Sequence, residues 1–447
     1  MAKLKKALKI LVVNLVLLAL LMEAGSVAIY FVRTRGIFYR DSTDRRLAGF
    51  TVPPSPINKG GEQQATMQQL HPYFGFVDRR GLNHRFPFSQ VDHVSNNFGF
   101  ASGSAYPFKR QHPNQFLVGI FGGSVAANYS FFELERNILA AELKKLPALA
   151  NKEIIILPFA MGAFKQPQQL IVLSYFLSIG QDFDLVVNID GFNDVVLSYI
   201  NYRDGLDSSM PCGYIIVPLV NLAACHNSEE ELQLTAEVIQ KRKKLEGLLK
   251  SMETSRLATG YVISWIRTRF AERNYRQAVV ELDRLRTSKS SGQSYMQFPS
   301  RPDPGVDQAF KEMVANWGSS SLMMKQLLDQ RSVPYFQFLQ PNQYFPTHRV
   351  FGSNEKEIAL TAADNFRPGV LKGYPLLLDE LAPLQQQGVN VQSAVSVFDG
   401  INEAVYGDNC CHYNELGNRI LSEFVAHAIR ESLSKDKRYA STAAGTE

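Results

Sequence analysis

The sequence has few cysteines, little excess charge and no stretch of low complexity. Only 4 cysteines occur among 447 residues, which excludes a small disulfide-stapled scaffold. Basic and acidic residues number 47 and 42, and a net charge of +5 is too small to indicate a nucleic-acid-binding surface. The share of hydrophobic residues, 45%, is that of a globular protein and excludes whole-chain disorder, collagen and coiled coil. The length predicts two or three domains, or one large α/β domain with insertions.

One long apolar run lies near the N-terminus. Residues 10–32 are mostly apolar, and their number is enough to cross a hydrocarbon core of about 30 Å. The tail before them carries four lysines, which favours a cytoplasmic N-terminus. Residues 1–32 are therefore predicted to be a single-pass signal anchor in the inner (cytoplasmic) membrane, with the rest of the chain periplasmic. The alternatives are a buried or inverted helix, or a cleaved signal peptide, because Ser26, Val27 and Ala28 have the small-x-small form of a cleavage site.

The remainder of the chain divides into a tether, a large domain and a tail. Residues 33–70 are polar and interrupted by proline and glycine, which indicates a tether. Residues 71–433 are expected to form an α/β domain with a helical insertion at about residues 200–331. The polar residues 434–447 are expected to be a disordered tail.

Short apolar runs alternate with helical patterns inside the large domain. Strands are expected at residues 116–121, 153–157, 184–189, 333–339 and 392–398. Helices are expected at residues 132–146, 166–179, 227–286, 310–331 and 416–433. Strands that alternate with helices predict a doubly wound parallel sheet. The predicted fold class is therefore α/β, a flavodoxin-like three-layer sandwich with a helical insertion and an N-terminal transmembrane helix.

Four candidate site residues lie close to the ends of predicted strands or the start of a predicted helix. Ser124, Gly162 and Asn193 follow the first three strands, and His412 precedes the final helix. Ligands of open α/β sheets bind outside the carboxyl ends of the strands. Acyl transfer needs a nucleophile, a base and donors for the developing oxyanion, and these residue types supply all three.

These four blocks resemble the SGNH hydrolases, also called GDSL-type esterases and lipases, a family named for its serine, glycine, asparagine and histidine. The resemblance covers Phe116 to about Ile200 and Val333 to about Ala428, and it leaves out the helical insertion.

The resemblance implies a role for each residue. Ser124 would be the nucleophile, and His412 would be the base, held by Asp408. The backbone N–H groups of Ser124 and Gly162 and the side-chain amide of Asn193 would form the oxyanion hole.

The chain departs from the family pattern at two positions. Gly123 stands where the common pattern has an aspartate before the serine. The family's acid lies three residues before the histidine, where this chain has Asn409, and Asp408 lies four residues before it. The sequence leaves open whether Asp408 or Asn409 supports His412, or whether a Ser-His dyad operates.

No cofactor and no metal are expected. Adjacent Cys410 and Cys411 beside His412 do not easily supply two corners of a tetrahedral zinc site. In an oxidising compartment Cys212 and Cys225 could close a loop, or either could pair with Cys410 or Cys411. The sequence does not choose among these pairings.

The expected function is a membrane-tethered extracytoplasmic serine esterase or O-acyltransferase acting on ester-linked acyl groups of an envelope glycan or lipid. The expected partners are that substrate and the membrane, and no nucleic acid. One alternative is an α/β-hydrolase, because Gly122-x-Ser124-x-Ala126 is close to the nucleophile elbow. Another is a non-catalytic envelope protein that keeps the fold for glycan binding or assembly. Residues 261–270 are interpreted as a buried helix face rather than a membrane-contacting one.

Overall fold

The structure is a computed structural model that describes residues 2–41, 46, 67–85, 89, 92–223, 229–289, 298–299, 302–360 and 365–440. The chain forms two compact units. The smaller unit comprises residues 1–62 and 224–295, and the larger comprises residues 63–223 and 296–447. Most of the predicted tether, residues 42–45 and 47–66, lies outside the described residues.

The smaller unit is helical. Its described helices are α1 (Ala2–Thr34), α7 (Glu229–Thr254) and α8 (Ala258–Lys289). Within α1, residues Leu8–Thr34 are long and apolar enough to cross a membrane. Helices α7 and α8 replace the single helical stretch expected at 227–286, because the chain turns between Thr254 and Ala258. The two helices pack along an apolar seam of buried residues: Val238, Leu245, Ala271, Tyr275, Ala278 and Leu282.

Two short antiparallel ribbons precede the main sheet of the larger unit. Strands β1 (Gln68–His71) and β2 (Gly75–Asp78) pair, as do β3 (Asn83–His84) and β4 (His93–Val94). This aromatic-rich segment buries Phe74, Phe76 and Phe100 in the core of the unit.

The larger unit is built around a five-stranded parallel sheet, which confirms the predicted α/β class. Its strands are β5 (Gln115–Gly122), β6 (Glu153–Pro158), β7 (Leu185–Asp190), β8 (Tyr335–Leu339) and β9 (Asn390–Ser393). They lie in the order β6-β5-β7-β8-β9. Strands β5 and β7 are buried along their whole lengths, which is typical of apolar parallel strands covered on both faces. The order reverses between β5 and β7, so their carboxyl ends meet at the switch point of the sheet.

Helices occupy most of the chain between and after these strands. They are α2 (Ser124–Arg136), α3 (Ile138–Leu143), α4 (Gln168–Ser178), α5 (Phe192–Arg203), α6 (Gly213–Ala223), α9 (Val306–Asp329), α10 (Ser353–Ala359), α11 (Arg367–Gln386), α12 (Glu415–Ser434) and α13 (Lys437–Ala440). Helix α12 begins where the Asn414 side chain accepts a hydrogen bond from the Gly417 N–H at 3.0 Å, a standard N-cap.

Several further segments differ from the sequence prediction. Helix α2 begins at Ser124, eight residues before the predicted start, because Val125, Tyr129 and Phe132 already give it a buried face. Strand β9 ends at Ser393 instead of continuing to 398, since the chain turns immediately after it. Part of the expected disordered tail forms the short helix α13 (Lys437–Ala440).

Candidate active site

The turn between β5 and α2 delivers Ser124 as the first residue of a helix. Gly122 has φ +136°, and a Cβ atom there would lie 2.1 Å from the carbonyl oxygen of Ile189 on β7. Only glycine fits so tight a turn against the neighbouring strand. Because Ser124 opens α2, its N–H has no intrahelical acceptor and lies at the positive end of the helix dipole.

A chain of hydrogen bonds joins Ser124, His412 and Asp408. The Nε2 atom of His412 lies 2.7 Å from Ser124 Oγ. On the other side of the ring, Nδ1 contacts a carboxylate oxygen of Asp408. The structure therefore places Asp408, and not Asn409, at the position from which an acid orients the imidazole.

The Asp408 carboxylate also organises the loop that carries the histidine. Its Oδ1 atom accepts hydrogen bonds from the backbone N–H groups of Cys410, Cys411 and His412, at 2.9, 3.1 and 3.2 Å. An aspartate that receives three consecutive N–H groups closes a tight local turn. The four-residue spacing between acid and histidine is accommodated by this turn.

Residues that directly follow β8 brace the same loop from behind. Each of three side chains donates to one backbone carbonyl of the loop: Asn342 to Cys410 (3.0 Å), Gln343 to Asp408 (3.0 Å) and Tyr344 to Asn409 (2.6 Å). All three side chains are buried. Sequence reasoning missed this segment, although its position after a strand was the available signal.

The electrostatics of the pair favour a charged acid and a basic imidazole. Burial lowers the pKa of His412, but the hydrogen bond and charge of Asp408 outweigh burial and raise that pKa above its ordinary value. Burial raises the pKa of Asp408, but the bonds from His412 and the backbone N–H groups reverse this and lower it to about 2. Asp408 is therefore ionised near neutral pH, and His412 keeps its Nδ1 proton and presents Nε2 to the serine.

Asn193 lies against the backbone that precedes the serine. Its Nδ2 atom donates to the Phe164 carbonyl at 2.8 Å, and the residue is buried near the start of α5. A Cβ atom on Gly123 would lie 2.2 Å from this Nδ2 atom. An amide nitrogen carries two hydrogens, so one remains for a ligand beside Ser124. Glycine at 123 is thus what allows the amide to approach.

Gly162 lies on the loop after β6, which is tied to the serine turn. The N–H of Met161 donates to the Gly122 carbonyl at 3.2 Å, and the space around Gly162 is open. Within the described residues, no protein acceptor bonds the N–H of Ser124 or of Gly162. Both groups are therefore available as donors to an oxyanion.

Asp194 holds the loop after β6 to the start of α5. One carboxylate oxygen accepts from the Gly191 N–H at 2.9 Å, and the other accepts from the Gln166 N–H at 2.7 Å. The same carboxylate thus connects the segments that carry Asn193 and Gly162. In the sequence this aspartate has only the signal of an acidic residue in the first turn of a helix.

A second buried carboxylate lies below these segments, at the end of β7. Asp190 accepts hydrogen bonds from Trp317 Nε1 at 2.8 Å, Asn188 Nδ2 at 2.8 Å and Gln337 Nε2 at 3.0 Å. Burial, together with the charge of Asp194, raises the pKa of Asp190 to about 8. Its oxygens are occupied by these donors, so we assign it a structural role in tying β7, β8 and α9 together.

The cysteines near the site are not disulfide-bonded. Cys212, Cys410 and Cys411 form no disulfide within the part of the chain that the structure describes, and Cys225 lies outside that part. The Cys411 thiol contacts the Ser124 side chain and lies 3.6 Å from the sulfur of Cys410. Burial and Cys410 raise the pKa of Cys411 well above its ordinary value, so it remains a thiol and a poor nucleophile.

The described residues contain no cluster of three or more histidine, cysteine or acidic side chains arranged to hold a metal ion. In comparisons with known proteins, no protein-family model and no curated protein matches this chain. Assignment of a function therefore depends on the geometry of Ser124, His412, Asp408 and Asn193.

Proposed function

We propose that the protein is a membrane-tethered serine esterase or O-acyltransferase of the SGNH type, acting on ester-linked acyl groups of an envelope glycan or lipid. The observation that carries the proposal is the 2.7 Å contact between Ser124 Oγ and His412 Nε2, with Asp408 on the opposite nitrogen of the ring. A nucleophile, a base and an orienting acid in this relation are the groups that covalent acyl transfer requires.

Acylation starts with attack of Ser124 Oγ on the ester carbonyl while His412 Nε2 accepts the hydroxyl proton. The carbonyl oxygen becomes an oxyanion, for which the N–H groups of Ser124 and Gly162 and the amide of Asn193 are the donors. When the tetrahedral intermediate collapses, His412 returns the proton to the leaving alkoxide, and the acyl group stays on Ser124 as an ester.

Deacylation repeats these steps with a second nucleophile. Water attacks the acyl-serine and gives a free carboxylic acid, or an acceptor hydroxyl attacks and gives a new ester. In both cases His412 takes the proton of the attacking oxygen and returns it to Ser124 Oγ. The same site therefore serves hydrolysis and transfer, and access of water decides between them.

The proposal also includes a flavodoxin-like fold and a location at the inner membrane. The strand order β6-β5-β7-β8-β9 has the 2-1-3-4-5 pattern of flavodoxin-like sheets, which supports that architecture. The apolar segment Leu8–Thr34, preceded by lysines, supports an inner-membrane anchor with the sheet-containing unit in the periplasm. An α/β-hydrolase is disfavoured, because Ser124 follows the first strand of the main sheet and the elbow fold needs strands before its serine.

The test is labelling of the detergent-solubilised full-length protein with a fluorophosphonate probe, together with hydrolysis of p-nitrophenyl acetate. We expect wild type to be labelled and active, and Ser124→Ala to lose both. Ser130→Ala is the matched control, because Ser130 lies on the same helix but donates to the Ala126 carbonyl at 2.8 Å. An unlabelled wild type would favour the non-catalytic glycan-binding alternative, and equal labelling of Ser124→Ala would show that Ser124 is not the nucleophile.

A further inference from the structure

A glutamate inside the apolar segment caps a helix that is distant in sequence. Glu23 lies within Leu8–Thr34, where a carboxylate is costly unless it has partners. Its oxygens accept hydrogen bonds from the backbone N–H groups of Ala258, at 2.5 Å, and Thr259, at 3.0 Å. These are the first residues of α8, whose initial N–H groups lack intrahelical acceptors and carry the positive end of the dipole.

These hydrogen bonds place the start of α8 level with Glu23. Eleven residues separate Glu23 from the end of α1 at Thr34, which at 1.5 Å per residue corresponds to roughly 16 Å. From there the two helices run side by side in the same direction. Tyr261 contacts Tyr30 with ring centroids 5.2 Å apart, and its hydroxyl accepts a hydrogen bond from Arg33 at 2.9 Å.

Exposed apolar side chains lie along residues 257–270, with exposed Arg267 among them. Four side chains are exposed over about half of their surface or more: Leu257 (57%), Ile263 (45%), Ile266 (45%) and Phe270 (66%). The spacing of residues 263, 266 and 270 puts them on one side of the helix, away from the buried Tyr261 and Val262. Soluble proteins seldom leave such a patch in water.

Lipid is the occupant that fits this face. Because Ala258 is level with Glu23 and the two helices run in the same direction, Ile263 and Ile266 lie level with the exposed apolar side chains of Ile29, Phe31 and Val32 on α1. Exposed Arg267 and Arg269 lie between Ile266 and Phe270, and long arginine side chains at this level reach the phosphates of a membrane surface. Trp265 lies under the Arg33 guanidinium at 4.7 Å, an arrangement that suits the membrane–water interface.

We propose that residues 257–270 are immersed in the membrane leaflet beside the last turns of α1, so that two helices and not one anchor the chain. The inference rests on the proposed membrane tether. It gives Glu23 a function, because its carboxylate accepts two hydrogen bonds from the start of α8. It also replaces the interpretation of residues 261–270 as a face buried only in protein.

The experiment measures the depth of single tryptophan probes in the full-length protein, reconstituted in vesicles of phosphatidylcholine and phosphatidylglycerol. All variants carry Trp265→Phe, and the fully buried Trp317 supplies a constant background. Ile266→Trp reports on the patch. Val280→Trp, exposed on the same helix about 20 Å further along, is the matched control. Leu15→Trp reports on the anchor itself. Lipids brominated in the acyl chain quench only tryptophans that lie in the hydrocarbon.

We expect brominated lipid to quench both Ile266→Trp and Leu15→Trp and to leave Val280→Trp unchanged. Adding Glu23→Leu should reduce quenching at position 266 while leaving it unchanged at position 15. If Leu15→Trp is quenched and Ile266→Trp behaves like Val280→Trp, the immersed helix is overturned and the single anchor stands. If Leu15→Trp is not quenched, the membrane tether itself fails, whereas hydrolysis by Ser124 is judged separately by the labelling assay.

Discussion

Ser124 and His412 meet in one hydrogen bond, but the chain positions them in different ways. Ser124 follows a fully buried strand and opens a helix, so backbone topology alone brings it to the edge of the sheet. His412 lies in a loop whose shape depends on hydrogen bonds from particular side chains. Backbone geometry therefore positions the nucleophile and side-chain hydrogen bonds position the base, and the substitutions below test that difference.

Asp408→Asn should have the largest effect, because it removes both the charge and the tautomer control on His412. We expect kcat for p-nitrophenyl acetate to fall by about 10⁴-fold while the protein stays folded. Asp399→Asn makes the same chemical change at a nearby loop position whose carboxylate accepts a hydrogen bond from the His348 N–H at 3.2 Å. That control should retain activity. A silent Asp408→Asn combined with a gain in Asn409→Asp would transfer the acid role to position 409.

Asn193→Ala should have the next largest effect, and it changes a residue beside the nucleophile Ser124. Loss of an oxyanion donor costs about 10²–10³ in kcat, and KM should change little because the donor acts on the transition state. Fluorophosphonate labelling should slow in parallel, since the probe also forms a tetrahedral adduct. An unchanged kcat would leave the N–H groups of Ser124 and Gly162 as the only oxyanion donors.

Gly123→Ala also changes the surroundings of Ser124, in this case through packing against Asn193. A Cβ atom at 123 would lie 2.2 Å from Asn193 Nδ2, so the amide must move away from the serine. We expect a loss of kcat no larger than that of Asn193→Ala, and no further loss when the two changes are combined. Additive losses would show that Gly123 acts by another route, for example on the turn itself.

The sequence predicted the strand–helix turn that carries Ser124 better than the loop that carries His412. Buried strands followed by Gly122, Gly123 and Ser124 have a recognisable pattern, and four of the five strands lie within two residues of their predicted limits. The choice between Asp408 and Asn409 could not be made, because it depends on how a loop is folded by contacts from a segment about 65 residues earlier in the chain. Pattern periodicity carries no information on such contacts.

Two helical features were missed for related reasons. Helix α11 (Arg367–Gln386) contains Pro375 and Pro383, residues that interrupt a helical pattern when only the sequence is considered. The two backbone donors to Glu23 lie more than 200 residues away, so the sequence did not show what compensates a charge within the apolar run. Both features depend on tertiary packing, which overrides local propensity.

Tyr344→Phe should have a smaller effect, and it changes a residue that supports the loop carrying the base His412. It removes one hydrogen bond to the Asn409 carbonyl, worth about 1 kcal/mol, and we expect kcat to fall about two- to tenfold as the loop loosens. Tyr261→Phe is the matched control, since its hydroxyl donates to the Arg46 carbonyl at 2.7 Å in the smaller unit. Equal losses in both variants would indicate a general loss of stability and no specific support of His412.

The smallest expected change is in the pH dependence of kcat/KM, which reports ionisation of the free enzyme. His412 must be neutral at Nε2 to accept the serine proton, so activity falls as the pH drops through its pKa. Because Asp408 raises that pKa above the ordinary value of 6.5, the acid limb of wild type should lie above pH 6.5. In Asp408→Asn the contribution that raises the pKa of His412 is gone while burial still lowers that pKa, so the acid limb of the residual activity should move below pH 6.5.

Asp408 itself, with its pKa lowered to about 2, should add no second limb above pH 4. A limb that stays in place in Asp408→Asn would mean that the carboxylate does not act on the imidazole, and that the base is positioned by its loop alone.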